Sequence, residues 1–215
     1  MKLMIDLFIF DLDGTLINST ADIARAVNHT LRHLGEAELS EEVIRQNVGD
    51  GVLQLLRKCL LDRHQDRIDE AVTLFRSYYG AHLTDHTTLY PGVREILSHF
   101  SGKNKAVLTN KPERFVRPIL EGLGIGDQIN FCIGGDGKSV PKPAAEPVLK
   151  ILERFGVEKG RAVMVGDSAV DIETGKLGGI LTCAFTGGYR SREELDAAKP
   201  DYMIDRMADL KSIFC

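Results

Sequence analysis

A chain of 215 residues, 43% of them hydrophobic, is long enough to bury a core and fits one domain with an insertion or two modest domains. Charged residues make up 27% and the formal net charge is −4, which leaves no basic footprint, so neither nucleic acid nor an anionic membrane is expected as a partner. Cys59, Cys132, Cys183 and Cys215 are far apart with no Cys-x-x-Cys spacing, and no stretch approaches the roughly 20 apolar residues that span a bilayer, so a cytoplasmic protein with reduced thiols is the expectation.

In chain order, Leu3–Phe10 is a mostly apolar run, as expected of a strand buried on both faces; Asp6 and the acids that follow make it unlike a leader peptide. The next segment is helical throughout. Ile23, Ala26, Val27, Thr30, Leu31 and Leu34 fall on one face of a helix that Gly35 can end. Ser40 can cap a short second helix, and Val52–Leu61 and Ile68–Tyr79 read as a third and a fourth. From about residue 90 helices and strands alternate. Pro91–Phe100, Pro112–Leu123 and Ala144–Phe155 have helical patterns, the last closed by Gly156, and Ser191 with Glu194 is a capping-box signature. Strand-like runs lie at Lys105–Leu108, Ile129–Ile133, Ala162–Val165, Ile180–Phe185 and Tyr202–Ile204. The alternation predicts an α/β fold with a mostly parallel sheet, the first strand central. The helical block makes it discontinuous, with residues 1–16 and 86–215 as the core and 17–85 as an inserted all-helical domain.

The first strand runs into Phe10-Asp11-Leu12-Asp13-Gly14-Thr15-Leu16. Carboxylates on alternate residues at the carboxyl end of a parallel strand sit where such sheets place their ligands, and their mutual repulsion favours a hard cation such as Mg²⁺. Gly14 lets the backbone turn sharply and approach a ligand closely. Three further strings stand at strand or loop ends: Val107-Leu108-Thr109-Asn110, Pro141-Lys142-Pro143, and Val165-Gly166-Asp167-Ser168-Ala169-Val170-Asp171. Alone, Thr109 could be any strand-end threonine, Lys142 a solvated lysine, and Asp167 a helix cap.

Together, and in this order, the four strings resemble the haloacid-dehalogenase-like superfamily over essentially the whole chain. The resemblance implies a Rossmann-like core with a helical type-I cap, and a phosphohydrolase that uses Mg²⁺ and passes through an aspartyl-phosphate. It implies Asp11 as nucleophile and Asp13 as general acid and then base. Thr109, Asn110 and Lys142 would hold the phosphoryl oxygens. Asp11, Asp167 and the carbonyl of Asp13 would hold the metal, with Asp171, four residues beyond Asp167, supporting it. Two departures from the common pattern stand out: Ala145 where a further proline is frequent, and Gly178-Gly179 where Ala-Gly is frequent.

Asp13 argues against the dehalogenase branch, whose halide leaves unprotonated. The run Thr109-Asn110-Lys111-Pro112 and the cap segment Val48-Gly49-Asp50-Gly51-Val52 look most like phosphoglycolate phosphatases, which makes 2-phosphoglycolate the expected small-molecule phosphate ester. Pyrophosphatase, sugar-phosphate phosphatase, phosphomutase and a non-catalytic binding module are the alternatives. Arg45, Gly49 and Gly51 are the candidate cap contacts for a substrate carboxylate, with Lys58 as a further cation. Whether the protein is a monomer or a homodimer stays open.

Overall fold

Residues 2–60, 62–135 and 140–215 are described by the computed structural model, residues 62–64 by backbone alone. Strand β1 spans Leu7–Phe10, shorter than the apolar run from Leu3, which makes only an isolated bridge to Phe214. Leu7 and Ile9 enter one apolar cluster while Phe8 and Phe10 enter another, so the run is continuous because both faces are covered. A short strand β2 (Ile17–Asn18) leads into helix α1 (Thr20–His33), whose expected apolar face is buried and which ends before Gly35 at a positive φ of 79°.

Ser40 accepts the Val43 N–H and starts α2 (Glu41–Gln46). Helix α3 (Val52–Cys59) stops earlier than expected, and Leu61, its expected last residue, lies outside the described residues. Helix α4 (Ile68–Ala81) packs on α1 and α3. The chain returns through β3 (Thr88–Leu89), antiparallel to β2, a ribbon that two-residue strands left invisible in the sequence. Buried Asp22 on α1 accepts both the Thr87 N–H at 2.8 Å and the Thr87 hydroxyl at 2.7 Å, tying the returning chain to the first helix.

Beyond the ribbon the alternation holds. Helix α5 (Val93–His99) starts after Gly92 at φ 85°, so Pro91 lies in the turn ahead of the helix rather than in its first turn. Then come β4 (Asn104–Leu108), α6 (Glu113–Gly122), β5 (Phe131–Ile133), α7 (Ala145–Phe155) and β6 (Ala162–Gly166). The chain ends through α8 (Ala169–Gly178), β7 (Leu181–Phe185), α9 (Arg192–Ala198), β8 (Tyr202–Ile204) and α10 (Leu210–Ile213). Gly156 closes α7 as expected, at φ 64°. Ser191 accepts the Glu194 N–H, so half of the expected capping box is present.

The six core strands form one sheet in the order β5-β4-β1-β6-β7-β8, every pairing parallel. Helix α7 covers one face through Val148, Ile151 and Leu152, and α5 and α6 cover the other. Strand order runs outward from β1 to β4 and β5, then restarts at β6 on the other side of β1. That reversal opens a crevice at the carboxyl end of β1. Among the described residues no helix is long and apolar enough to cross a membrane.

Candidate active site

The crevice gathers every one of the sequence strings. Asp11 follows β1, its N–H bound to the Val165 carbonyl of β6 at 2.9 Å. The chain then turns at Gly14, where φ is 89° and a Cβ would stand 2.3 Å from Asp167 Oδ2. Only glycine lets this turn pass so close to that carboxylate. Thr109 follows β4, Lys142 precedes α7, and Asp167 and Asp171 flank the start of α8. The cap of α8 is Ser168, not Asp167. Ser168 accepts the Asp171 N–H while Asp171 Oδ2 accepts the Ser168 N–H at 3.1 Å and its hydroxyl at 2.6 Å. Asp167 is thereby left to the site, where it accepts from the Thr15 hydroxyl at 2.9 Å and the Tyr189 N–H at 2.8 Å.

Charge at the centre is crowded and buried. Lys142 Nζ lies 2.8 Å from Asp11 Oδ1 and 2.5 Å from Asp171 Oδ1, all three residues being buried. Asp11 Oδ1 has no other partner. Burial drives the Asp11 carboxyl up to about 7 against the pull of Lys142, with Asp171 and Asp13 adding repulsion. Burial likewise lifts Asp167 to about 8, helped by the negative charge of Asp171 and Asp11. Burial alone would lower Lys142, but the two facing carboxylates outweigh it and hold the ammonium above its usual range. One lysine does not compensate three buried carboxylates.

Asp13 is held separately. The Ser19 hydroxyl donates to its Oδ1, and Lys111 Nζ reaches both oxygens, at 2.9 and 3.1 Å. Tyr189 closes this side, its hydroxyl accepting the Ser19 N–H at 3.0 Å.

A cavity of about 500 Å³, open mouth included, rises from Asp11, Asp13 and Thr109 to Gly49 and Gly51. Both glycines line this cavity, and Arg45 does not. One helical turn after Glu42, Arg45 pairs with that carboxylate at 2.9 Å and lines a separate surface crevice. Lys58 pairs with Asp50 at 2.7 Å. Asn110 also differs from expectation: its side chain accepts the Lys142 N–H at 2.8 Å and donates to the Lys142 and Gly49 carbonyls, both at 3.1 Å. It sets the lysine loop and ties it to the helical block, and its amide donors are committed there. Thr109 keeps its hydroxyl proton, since Oγ1 accepts from the Lys111 N–H at 3.2 Å.

Lys111, Tyr79, Ser19, Tyr189 and Arg190 escaped the sequence reading. Lys111 stood in the quoted Thr109–Pro112 run, next to two candidate ligands, and its position there was the available signal. Arg190 donates to the carbonyls of Gln46 and Val48 at 2.6 and 2.7 Å, fastening the Val48–Gly51 loop to the core. Nothing in its local sequence marked that contact.

The carboxylates of Asp11, Asp167 and Asp171 each offer an oxygen within 4.8 Å of the others. An all-oxygen set this buried and this short of positive charge fits a hard divalent cation. Asp171 lies in the same cluster, its Oδ1 on Lys142 and its Oδ2 on Ser168.

The family model of the haloacid dehalogenase-like hydrolases matches residues 8–185. A phosphoglycolate phosphatase of Chromobacterium violaceum is 36% identical over 208 residues, covering 94% of this chain and 92% of the relative. That of Aquifex aeolicus is 37% identical over 204 residues, covering 94% and 93%. A crystal structure described as a predicted phosphoglycolate phosphatase, from Haemophilus somnus, superposes with a TM-score of 0.90 at 31% identity over 97% of both chains.

Proposed function

The chain belongs to the haloacid dehalogenase-like hydrolases, as a phosphatase, and we propose that it hydrolyses 2-phosphoglycolate with Mg²⁺ through a phosphorylated Asp11. The observation that carries this reading is the division of labour between two carboxylates two residues apart. Asp11 faces Lys142 within the buried acidic cluster, and Asp13 faces Ser19 and Lys111 at the foot of the cavity. A buried carboxylate set against a single ammonium suits in-line attack on phosphorus. One whose oxygens are steered by a hydroxyl and an ammonium suits proton transfer at the leaving oxygen.

In the first step an Asp11 oxygen forms a bond to phosphorus as the bond to the leaving alcohol breaks, and Asp13 gives that alcohol its proton. In the second step Asp13 takes a proton from water, whose oxygen attacks phosphorus and releases Asp11. Lys142 and the Thr109 hydroxyl supply the positive charge and the donor that the transferring oxygens need. Asp11, Asp167 and Asp171, with the Asp13 carbonyl, would hold Mg²⁺, which when bound neutralises phosphoryl charge. The helical block at residues 17–85 acts as a cap: its Val48–Gly51 loop roofs the cavity and its α4 supplies Tyr79 to the wall. Such a roof excludes water from the phosphoryl enzyme and gives the leaving alcohol its contacts.

The test is steady-state release of phosphate from 2-phosphoglycolate, pyrophosphate and glucose 6-phosphate with Mg²⁺, repeated in EDTA. The highest kcat/KM on 2-phosphoglycolate, lost in EDTA, is expected. Faster turnover of pyrophosphate or the hexose phosphate rejects the substrate, and full activity after chelation rejects the metal.

A further inference from the structure

Two buried donors in the cavity have bonding capacity that the phosphoryl transfer described above does not use. The first is the ammonium of Lys111, the only Lys or Arg among the described residues that line the cavity. Two of its three N–H groups reach Asp13, which leaves one for another acceptor. The second is the hydroxyl of Tyr79 on α4. Tyr79 is 1% exposed, and its hydroxyl proton has no acceptor among the described residues, since the neighbouring Lys111 ammonium can only donate to its oxygen. The ammonium sits over the phenol ring, 4.6 Å from its centroid, so the two donors are neighbours on one wall. Burial pushes the phenol up to about 12, so it stays an O–H donor at neutral pH.

An orphaned buried hydroxyl costs stability unless something fills its bond when the protein works. The surrounding chemistry narrows what that is. The neighbouring walls are Ile23, Leu55, Phe75 and Phe115, which offer nothing to the several hydroxyls of a sugar. A single cation does not balance the charge of a second phosphate. Gly51, the N-cap of α3, also lines the cavity, so the positive end of that helix faces the same space. All of this suits one small monoanion with two oxygens.

Resting on the phosphatase reading above, we propose that Lys111 Nζ and Tyr79 Oη form a carboxylate subsite, which selects esters whose leaving alcohol carries a carboxylate a carbon or so from the phosphate oxygen. The subsite spans both parts of the protein, a core lysine and a cap tyrosine. The carboxylate therefore reads out correct closure as well as identity. It also assigns to Lys111 and Tyr79 the recognition that the sequence pattern suggested for Arg45.

The experiment compares 2-phosphoglycolate with 2-hydroxyethyl phosphate, in which a neutral CH₂OH replaces the carboxylate, using the full chain with Mg²⁺. The readout is the ratio of kcat/KM for the acid to that for the neutral ester, which cancels losses common to both. Tyr79→Phe keeps the ring and its packing, and should lower the ratio about 10-fold, the size of one hydrogen bond to a charged group, chiefly through KM. Lys111→Met should lower it about 100-fold, and Lys111→Arg should recover part of that loss. Equal losses on both esters in Tyr79→Phe and Lys111→Met would make the pair structural and overturn the proposal. A wild-type ratio near one would overturn it while leaving the phosphatase reading intact. Turnover of neither ester would overturn that reading and this one with it.

Discussion

Asp11 and Asp13 are the same residue type two positions apart, and what separates the roles proposed for them is the company each keeps. Asp11 meets an ammonium and two other carboxylates, and Asp13 meets a hydroxyl and a second ammonium. Asp11→Asn should therefore abolish turnover with the fold retained, because an amide is a poor nucleophile. Asp13→Asn should lower kcat by about 10²–10⁴-fold, the usual weight of a general acid–base group. Steady-state kinetics checks both, and acid-quench trapping with labelled substrate checks the site: label recovered on a residue other than Asp11 would refute the assignment. These two aspartates were legible because they lie in one short string at a strand end. Lys111 and Tyr189 were not, since their partners Asp13 and Ser19 stand 98 and 170 residues away. No local period or spacing encodes a contact made only when the chain folds back on itself.

At the scale of elements, the junction of α7 and α8 shows where composition misleads. Gly178, near the end of α8, stands where Ala is the commoner residue, which reads as a loss of helix propensity. In the structure a Cβ there would meet Val148 Cγ1 of α7 at 2.4 Å and Val148 Cβ at 2.8 Å. Valine is stiff at χ1 and cannot swing aside cheaply. Gly178→Ala should thus destabilise by about 1–3 kcal/mol, the range for overpacking. In a chain of this size that lowers the melting temperature by roughly 2–10 °C. Val148→Ala in the same chain should return part of the loss, although alone it destabilises by opening a void. Calorimetry of the four proteins gives the coupling, and strict additivity would count against the contact. Helices and strands themselves were readable from period and caps, and the departures cluster at ends. Pro91 fell outside α5 because Gly92 takes the positive φ of its N-cap, and the β2–β3 ribbon is too short for any pattern.

Across the whole molecule, the acidic cluster is assembled from distant chain segments by the sheet reversal at β1. Asp11 arrives on β1, while Asp167 and Asp171 arrive with β6 and α8, and the unfolded chain holds no such group. A cation that occupies the cluster therefore binds the folded state alone and stabilises it by mass action. The effect should be large here, because the buried carboxylates repel one another and Lys142 is their sole ammonium partner among the described residues. At about 100 times its dissociation constant, Mg²⁺ should add about 2.7 kcal/mol, and so raise the melting temperature by roughly 5–10 °C. EDTA should reverse the rise. Asp167→Asn removes one ligand charge and also one source of repulsion, so the variant should melt near the metal-free wild type but respond little to Mg²⁺. Differential scanning calorimetry reads this without any substrate. The same Mg²⁺ shift in wild type and Asp167→Asn would place the ion elsewhere. No shift in wild type, at concentrations that support turnover, would mean that these carboxylates hold no metal in the resting protein.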